Sequence, residues 1–209
     1  MLGAFITLEG IEGVGKSTNL AFIATLIRDA GFEVVTTREP GGTPLGEHVR
    51  SWILEGDHGP LSAEVETLLM FAARAQHLEH VIRPALAAGC WVICDRFTDA
   101  TFAYQGGGRG ANPSLLTALR AQIQQGLEPD LTLLLDAPLD VGSARIAARN
   151  LDHFEREQRP FFERVRRAYL SLAVAHQNRI KVIDAAQPLS LVQKHIETEV
   201  QALLTRFRS

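Results

Sequence analysis

The chain has 209 residues, of which 46% are hydrophobic and 22% charged, the ordinary make-up of a soluble globular protein with room for a full core. A net charge of -3 gives no overall attraction to nucleic acid or membrane. No basic-then-apolar leader opens the chain and no apolar run approaches about 18 residues, so a cytoplasmic protein with neither nucleic acid nor membrane as partner is expected.

"AFITLEG" is a short apolar run ending in glycine, and "EGIEGVGKST" and "STNLAFIATLIRDAG" follow it. The reading is strand, loop, helix, with Gly31 as the helix stop. "FEVVTTRE" is a second strand, and "PLGEHVRSWILEG" and "SAEVETLLMFAARAQHLEHVIRPALAAG" are helical patterns. His77 and His80 share a helix face, but "HLEH" is not a zinc-protease spacing; a surface or capping role is expected of each. "CWVICDR" is a third strand, with Cys90 and Cys94 as small core residues. In "TFAYQGGGRG" the triple glycine opens no helix after a strand and reads as a flexible turn. "NPSLLTALRAQIQQG" is helical and "LTLLLDA" is a fourth strand. The segment between Arg145 and Arg167 is rich in arginine, which suits either forked contacts with phosphate or a solvated helical face. "RPFFERVRRAYLSLAVAH", the strand "IKVIDA" and "PLSLVQKHIETEVQALLTRF" complete the chain.

Five continuous apolar strands alternating with helices predict an α/β fold in three layers, a parallel sheet flanked by helices on both faces. No linker or repeat divides it, so a single domain over residues 1–209 is expected. Ligands of such sheets bind beyond the carboxyl ends of the strands. Those ends read Glu9-Gly10, Arg38-Glu39, Asp95-Arg96, Asp136 and Asp184.

The loop G-x-x-x-x-G-K-S between a strand and a helix is a phosphate cradle. Gly10, Gly13 and Gly15 let the backbone aim N–H groups at phosphate oxygens, with Val14 between them. Lys16 reaches the outer phosphates, Ser17 suits a magnesium ion, and Thr18 adds a hydroxyl near the inner phosphate. Glu12 is out of place in a cradle for anions. In "WVICDR", Arg96 follows Asp95 where a hydrolase would carry a water-orienting carboxylate. An arginine there suits a second phosphate group, which favours transfer to a phosphorylated acceptor; a structural ion pair of Asp95 and Arg96 is the alternative. Arg38 ends the second strand. Phe71 and Arg74, three apart on one helix face, offer an aromatic plane beside a forked donor, as a nucleobase requires. Thr101, Tyr104 and Gln105 follow the third strand.

"EGIEGVGKST", "TREPGGTPLGE", "FAARAQH", "DRFTDATFAYQGGGRG", "PDLTLLLDAP" and "LDHFERE", in that order, resemble bacterial thymidylate kinase over nearly the whole chain. "REPGGT" and "AYQGGGRG" are the most specific pieces. The resemblance implies a P-loop kinase fold, transfer from ATP to dTMP with magnesium to give ADP and dTDP, and a homodimer. It places the dTMP phosphate near Arg38 and Arg96, stacks thymine on Phe71, gives Arg74 a base carbonyl, and sets Thr101 and Gln105 at the base edge. Tyr104 then lies against the sugar, and Glu12 accepts a hydrogen bond from the acceptor's sugar hydroxyl. Asp95 would organise Arg96 and magnesium-bound water. Gly13 and Val14 stand where one branch of the family carries an arginine, which implies the branch with a basic lid, here about residues 142–158, supplying Arg149 first and Arg145 or Arg156 beside it. Ala100 departs from the serine of many relatives, with Asp99 or Thr98 as substitutes.

Two rival readings stand beside this one: a kinase of another acceptor, and a switch-type nucleotide binder. Two phosphate-directed arginines speak against an uncharged acceptor, and the missing N-K-x-D signature speaks against a guanine switch.

Overall fold

A computed structural model describes residues 3–55, 59, 61–146 and 158–208. Five strands form one parallel sheet: β1 (Phe5–Glu9), β2 (Val34–Arg38), β3 (Trp91–Asp95), β4 (Leu131–Asp136) and β5 (Ile180–Asp184), in the order β2-β3-β1-β4-β5. All five expected strands are present, and every pairing is parallel. The continuous apolar runs follow from burial on both faces. Ile6, Leu8 and Ile93 face one core, built with Ile23 and Ile27 of helix α1 (Lys16–Asp29). Phe5, Val92 and Cys94 face the other, with Leu78, Ile82 and Leu86.

Helix α2 (Pro44–Glu55) packs on α3 (Ala63–His77), which runs through a π-helical turn, Leu78–Ile82, into α4 (Arg83–Ala87). Ser62 caps α3 by accepting from the Val65 N–H, with Glu64 and Glu66 in its first turn. Beyond β3 lie α5 (Thr98–Thr101), a π-helical stretch Phe102–Gly108, and α6 (Pro113–Gln124). Helices α7 (Leu139–Ile146), α8 (Arg159–Ala175) and α9 (Leu189–Arg208) complete the set.

The triple glycine corrects the expectation of a flexible turn. Gly106, Gly107 and Gly108 lie in the π-helical stretch and face α8 or α6 at van der Waals range. A Cβ on Gly107 would sit 2.5 Å from the Ala168 Cβ, and one on Gly108 2.5 Å from the Phe161 ring. Arg164 of α8 donates from Nε and Nη2 to the Gly108 carbonyl, at 3.2 and 2.9 Å. These glycines serve close packing of two helices, which places Tyr104 and Gln105 firmly.

The register sets the site. Leu8 of β1 and Arg38 of β2 both pair with Asp95 of β3, so three strands end on one level. Their carboxyl ends deliver Glu9-Gly10, Glu39 and Arg96 to a common rim.

Candidate functional site

A cavity of about 450 Å³ opens at that rim. Its wall includes Glu12, Lys16, Ser17, Thr18, Asp95 and Arg96. Glu39, Arg50, Met70, Ala100, Tyr104, Gln105 and Arg145 line it as well.

On one side lies the phosphate loop. Gly10, Gly13 and Gly15 have φ of +130°, +75° and +89°, a region that disfavours side chains. Gly13 has a second reason to lack one: a Cβ there would lie 2.3 Å from the Gly142 carbonyl oxygen of α7. Helix α7, the root of the expected lid, therefore rests directly on the loop. Lys16 donates from Nζ to the carbonyls of Gly10 and Ile11, at 3.1 and 2.8 Å. Burial and then the Arg96 charge press its pKa down to about 8. Arg145 of α7 donates to the Ala185 carbonyl at 3.1 Å and reaches that of Gly13 at 3.5 Å. Arg149 and Arg156, the other lid candidates, lie outside the described residues.

The opposite side is a set of interlocked charges. Arg96 has φ +69°, in the left-handed region that side chains seldom occupy. Its Nη2 donates to Glu12 Oε1 at 2.8 Å, and its Nη1 to the Gly10 carbonyl at 2.9 Å and to the Tyr169 hydroxyl at 3.2 Å. Its guanidinium lies 4.8 Å from the Tyr104 ring centroid. Burial works against the Arg96 charge, but Tyr104 and Glu12 outweigh it and raise the pKa well above the usual value. Tyr104 donates its hydroxyl to both Glu12 oxygens at 2.8 Å. Glu12 is thus drawn out of the cradle toward the far wall by two donors.

These contacts correct one half of the expected role of Asp95, the organising of Arg96. Glu12, Gly10 and Tyr169 hold Arg96, while Asp95 Oδ1 is buried without a partner. The substitutes named for Ala100 are also committed elsewhere: Asp99 pairs with Arg179 at 2.6 Å, and Thr98 donates to Gln124 at 2.6 Å.

Behind the wall sits Arg74, 0% exposed. Its Nε donates to Glu39 Oε2 at 2.7 Å, and its Nη2 to Thr101 Oγ1 at 2.9 Å and to the Phe97 carbonyl at 3.2 Å. Its guanidinium lies 4.7 Å from the Phe71 ring centroid and 5.1 Å from that of Phe97. Arg74 Nη1 has no partner. Gln105 donates from Nε2 to Glu66 at 3.2 Å, which fixes its amide orientation and leaves Oε1 buried without a partner.

Besides Arg74, three expected acceptor-site residues lie off the cavity wall. Phe71 is not on the cavity wall; its ring packs with Ala111 and Leu116, and the residue before it, Met70, faces the cavity instead. Thr101 is fully buried and supports Arg74 rather than reaching the cavity. Arg38 is exposed and paired with Glu47 at 2.8 Å, whereas Arg50, one helix away, lines the cavity. Burial and then the charges of Arg38 and Arg96 lower the Arg50 pKa, and its Nη1 donates to the Pro40 carbonyl at 3.3 Å.

Glu9 carries no signal in the sequence beyond its place at a strand end. It is fully buried, accepting from the Phe97 N–H at 2.7 Å and from the Tyr169 hydroxyl at 2.8 Å. Burial, then repulsion from Asp99, pushes its pKa up to about 7.

Residues 8–196 match the family model of thymidylate kinase. The chain belongs to the thymidylate kinase family. It is 55% identical over 209 residues to the thymidylate kinase of Ectopseudomonas mendocina, covering all of both chains. It is 57% identical over 203 residues to that of Methylococcus capsulatus, covering 97% of each. The crystal structure of the thymidylate kinase of Ehrlichia chaffeensis superposes with a TM-score of 0.78 at 32% identity, covering 96% of this chain and 99% of that one. The family's P-loop kinase fold accounts for the order of the sheet and for the glycine loop over α1. The chain is accordingly an enzyme, a kinase of nucleotide biosynthesis.

Proposed function

We propose that the cavity seats ATP over the phosphate loop and dTMP against α3, and passes the outer phosphoryl group of one to the phosphate of the other, giving ADP and dTDP. The observation that carries this reading is a pair of unanswered polar atoms, one on the cavity wall and one just behind it. Arg74 Nη1 is a donor and Gln105 Oε1 an acceptor, and both are buried without partners. Thymine supplies the complements, a ring carbonyl beside a ring N–H. Cytosine offers an amino group and a bare nitrogen instead. Met70 gives the base a polarisable face in place of the expected ring.

Arg96 and Arg50 converge on the space for the acceptor phosphate. Burial, then the charges of Arg38 and Arg96, lowers the Arg50 pKa, and a bound anion offsets both. Lys16 exchanges two loop carbonyls for the outer phosphates, and Arg145 approaches from α7. The Ser17 hydroxyl and the unpartnered Asp95 oxygen fit a magnesium ion and its water. When bound, that ion spreads the charge of the phosphates. The acceptor phosphate is already ionised near neutrality, so the protein needs no strong base; its work is placement and charge. Glu12, held by Arg96 and Tyr104, receives the acceptor's sugar hydroxyl and joins the two halves. A lid over residues 142–158, with Arg149, would exclude water during transfer.

The chain works as a single domain within a homodimer. Helices α2 and α3 pack together and leave the apolar side chains of Leu45, Trp52, Val65 and Leu68 exposed, which suits a symmetric contact. Sedimentation at micromolar concentration should give twice 22.9 kDa.

The reaction is tested by coupled ADP release with dTMP, dCMP, dAMP and thymidine as acceptors. Strong preference for dTMP is expected. Equal use of thymidine, or of a purine monophosphate, would overturn the assignment.

A further inference from the structure

One buried titratable side chain has no place in the transfer as described. His77, expected in a surface or capping role, is 0% exposed. Its Nδ1 lies 2.9 Å from Glu39 Oε1 and its Nε2 2.7 Å from Thr37 Oγ1. An ionised carboxylate can only accept, which places a hydrogen on Nδ1. We infer that His77 is a positioning residue for acceptor recognition: it holds the second oxygen of Glu39 and so fixes the one corner of Arg74 that is left for the base. The inference rests on the reading that Arg74 meets the base.

The geometry is that of a clamp. Arg74 and His77 are three apart on α3 and so share a face, and each takes a different oxygen of Glu39. A carboxylate held at one oxygen can swing about that bond; held at both, its plane is set. Thr37 near the end of β2 and Glu39 just beyond it grip the two nitrogens of one ring. Gly42 closes the third side, since a Cβ there would lie 2.6 Å from His77 Nε2 and 2.6 Å from Thr37 Oγ1. With Nε on Glu39 and Nη2 on Thr101 and Phe97, the Arg74 guanidinium has only Nη1 unassigned. A change at His77 therefore reaches the base through Glu39 without touching any phosphate group.

The test compares His77→Leu, which keeps bulk but loses the donor, with His77→Asn, whose amide nitrogen can stand in for Nδ1. Thr37→Val and Arg74→Ala complete the set. His77→Leu should raise the KM for dTMP about tenfold and narrow the preference over dCMP. The KM for ATP and kcat should stay within about twofold. His77→Asn should recover most of the loss, and Thr37→Val should show a smaller effect of the same kind. Equal damage by Leu and Asn, with only the melting temperature moving, would make His77 a space filler and overturn the inference. So would an unchanged dTMP KM and preference in His77→Leu while Arg74→Ala loses both. Should Arg74→Ala itself keep the preference, the reading of Arg74 fails first. If His77→Leu does not fold, Asn and Thr37→Val decide, and unchanged KM and preference in both would refute the clamp.

Discussion

The two halves of the cavity are built differently. On the phosphate-loop side, Ser17, Thr18 and Arg145 are exposed, and Lys16 and Arg145 rest on backbone carbonyls. On the other side, Arg96 and Tyr104 hold Glu12, and Arg74 holds Glu39, through side chains that are mostly buried. Carbonyls are weak holders, easily exchanged for phosphate oxygens. Interlocked buried charges are costly to disturb but arrive prealigned. One half is suited to a mobile triphosphate, the other to discrimination among small acceptors.

The largest effect should separate two arginines that differ chiefly in burial. Arg96→Ala removes a phosphate ligand and leaves Glu12 without its charged partner, so kcat/KM should fall on the order of 10³-fold. Arg96→Lys keeps the charge but not the fork that spans Gly10, Tyr169 and Glu12, and should recover little. Arg145→Ala, on the open side, should cost about tenfold or less, because an exposed charge is easily replaced by its neighbours. Steady-state kinetics with dTMP and ATP read both. Equal losses at Arg96 and Arg145 would erase the contrast.

Glu9 tests how firmly the far side is locked. Its pKa is near 4.5 in an unfolded chain and about 7 in the fold. Below the lower value both states hold the proton, and the group is neutral toward stability. As pH rises from about 4.5 to about 7, the unfolded chain releases the proton and the fold retains it, so stability is lost through that window. The full loss is on the order of 3 kcal/mol. Glu9→Gln abolishes the titration. Denaturant melts at about pH 4 and about pH 8 should show the variant gaining on the parent by that order at the higher pH. A constant difference across the range would mean that Glu9 titrates alike in the folded and unfolded chain.

Glu12→Gln sharpens the same comparison at the joint. It keeps the shape but removes the charge that faces Arg96. The KM for dTMP should rise about tenfold, the worth of one charge-assisted hydrogen bond, while ATP affinity without acceptor stays near that of the parent. Nucleotide titration decides. Abolished ATP binding would return Glu12 to the phosphate side.

Much of this contrast was readable in the sequence, but only one half of it. Strands buried on both faces must be apolar throughout, so "FITLE", "WVICD" and "LTLLLD" announced themselves, as did the glycine loop between strand and helix. Backbone-made sites leave motifs. Side-chain-made sites depend on which charges meet across the fold, and no local pattern tells that Glu47 captures Arg38 while Arg50 turns to the cavity. The triple glycine misled for a related reason: glycine marks both a free turn and a surface that another helix must touch, and Ala168 and Phe161, some 60 residues away, decide between them. His77 showed a polar side chain and concealed its burial, because its partners Thr37, on β2, and Glu39, just past its end, lie 40 and 38 residues earlier.

The smallest effect concerns a choice that the helix period leaves open. Relative to Arg74, both Met70 and Phe71 lie one turn back, four and three residues away, and both neighbour it on the helix surface. The sequence favours Phe71 by chemistry; the fold turns Met70 to the cavity and Phe71 to Ala111 and Leu116. The two residues should therefore fail in different currencies. Met70→Phe places a ring on the wall, and stacking beyond area burial is worth about 0.5–1.5 kcal/mol. The KM for dTMP should fall by roughly two- to tenfold, with at most a small loss of stability where the larger ring crowds the core that Met70 shares. Phe71→Leu should instead lower the melting temperature, since it thins a packed cluster, and should raise the dTMP KM only through the loss of the ring beneath the Arg74 guanidinium. Kinetics and melts on both variants separate the cases. If Phe71→Leu raises the KM strongly without loss of stability, the ring faces the base after all, and the acceptor wall is rebuilt when dTMP enters rather than prepared before it.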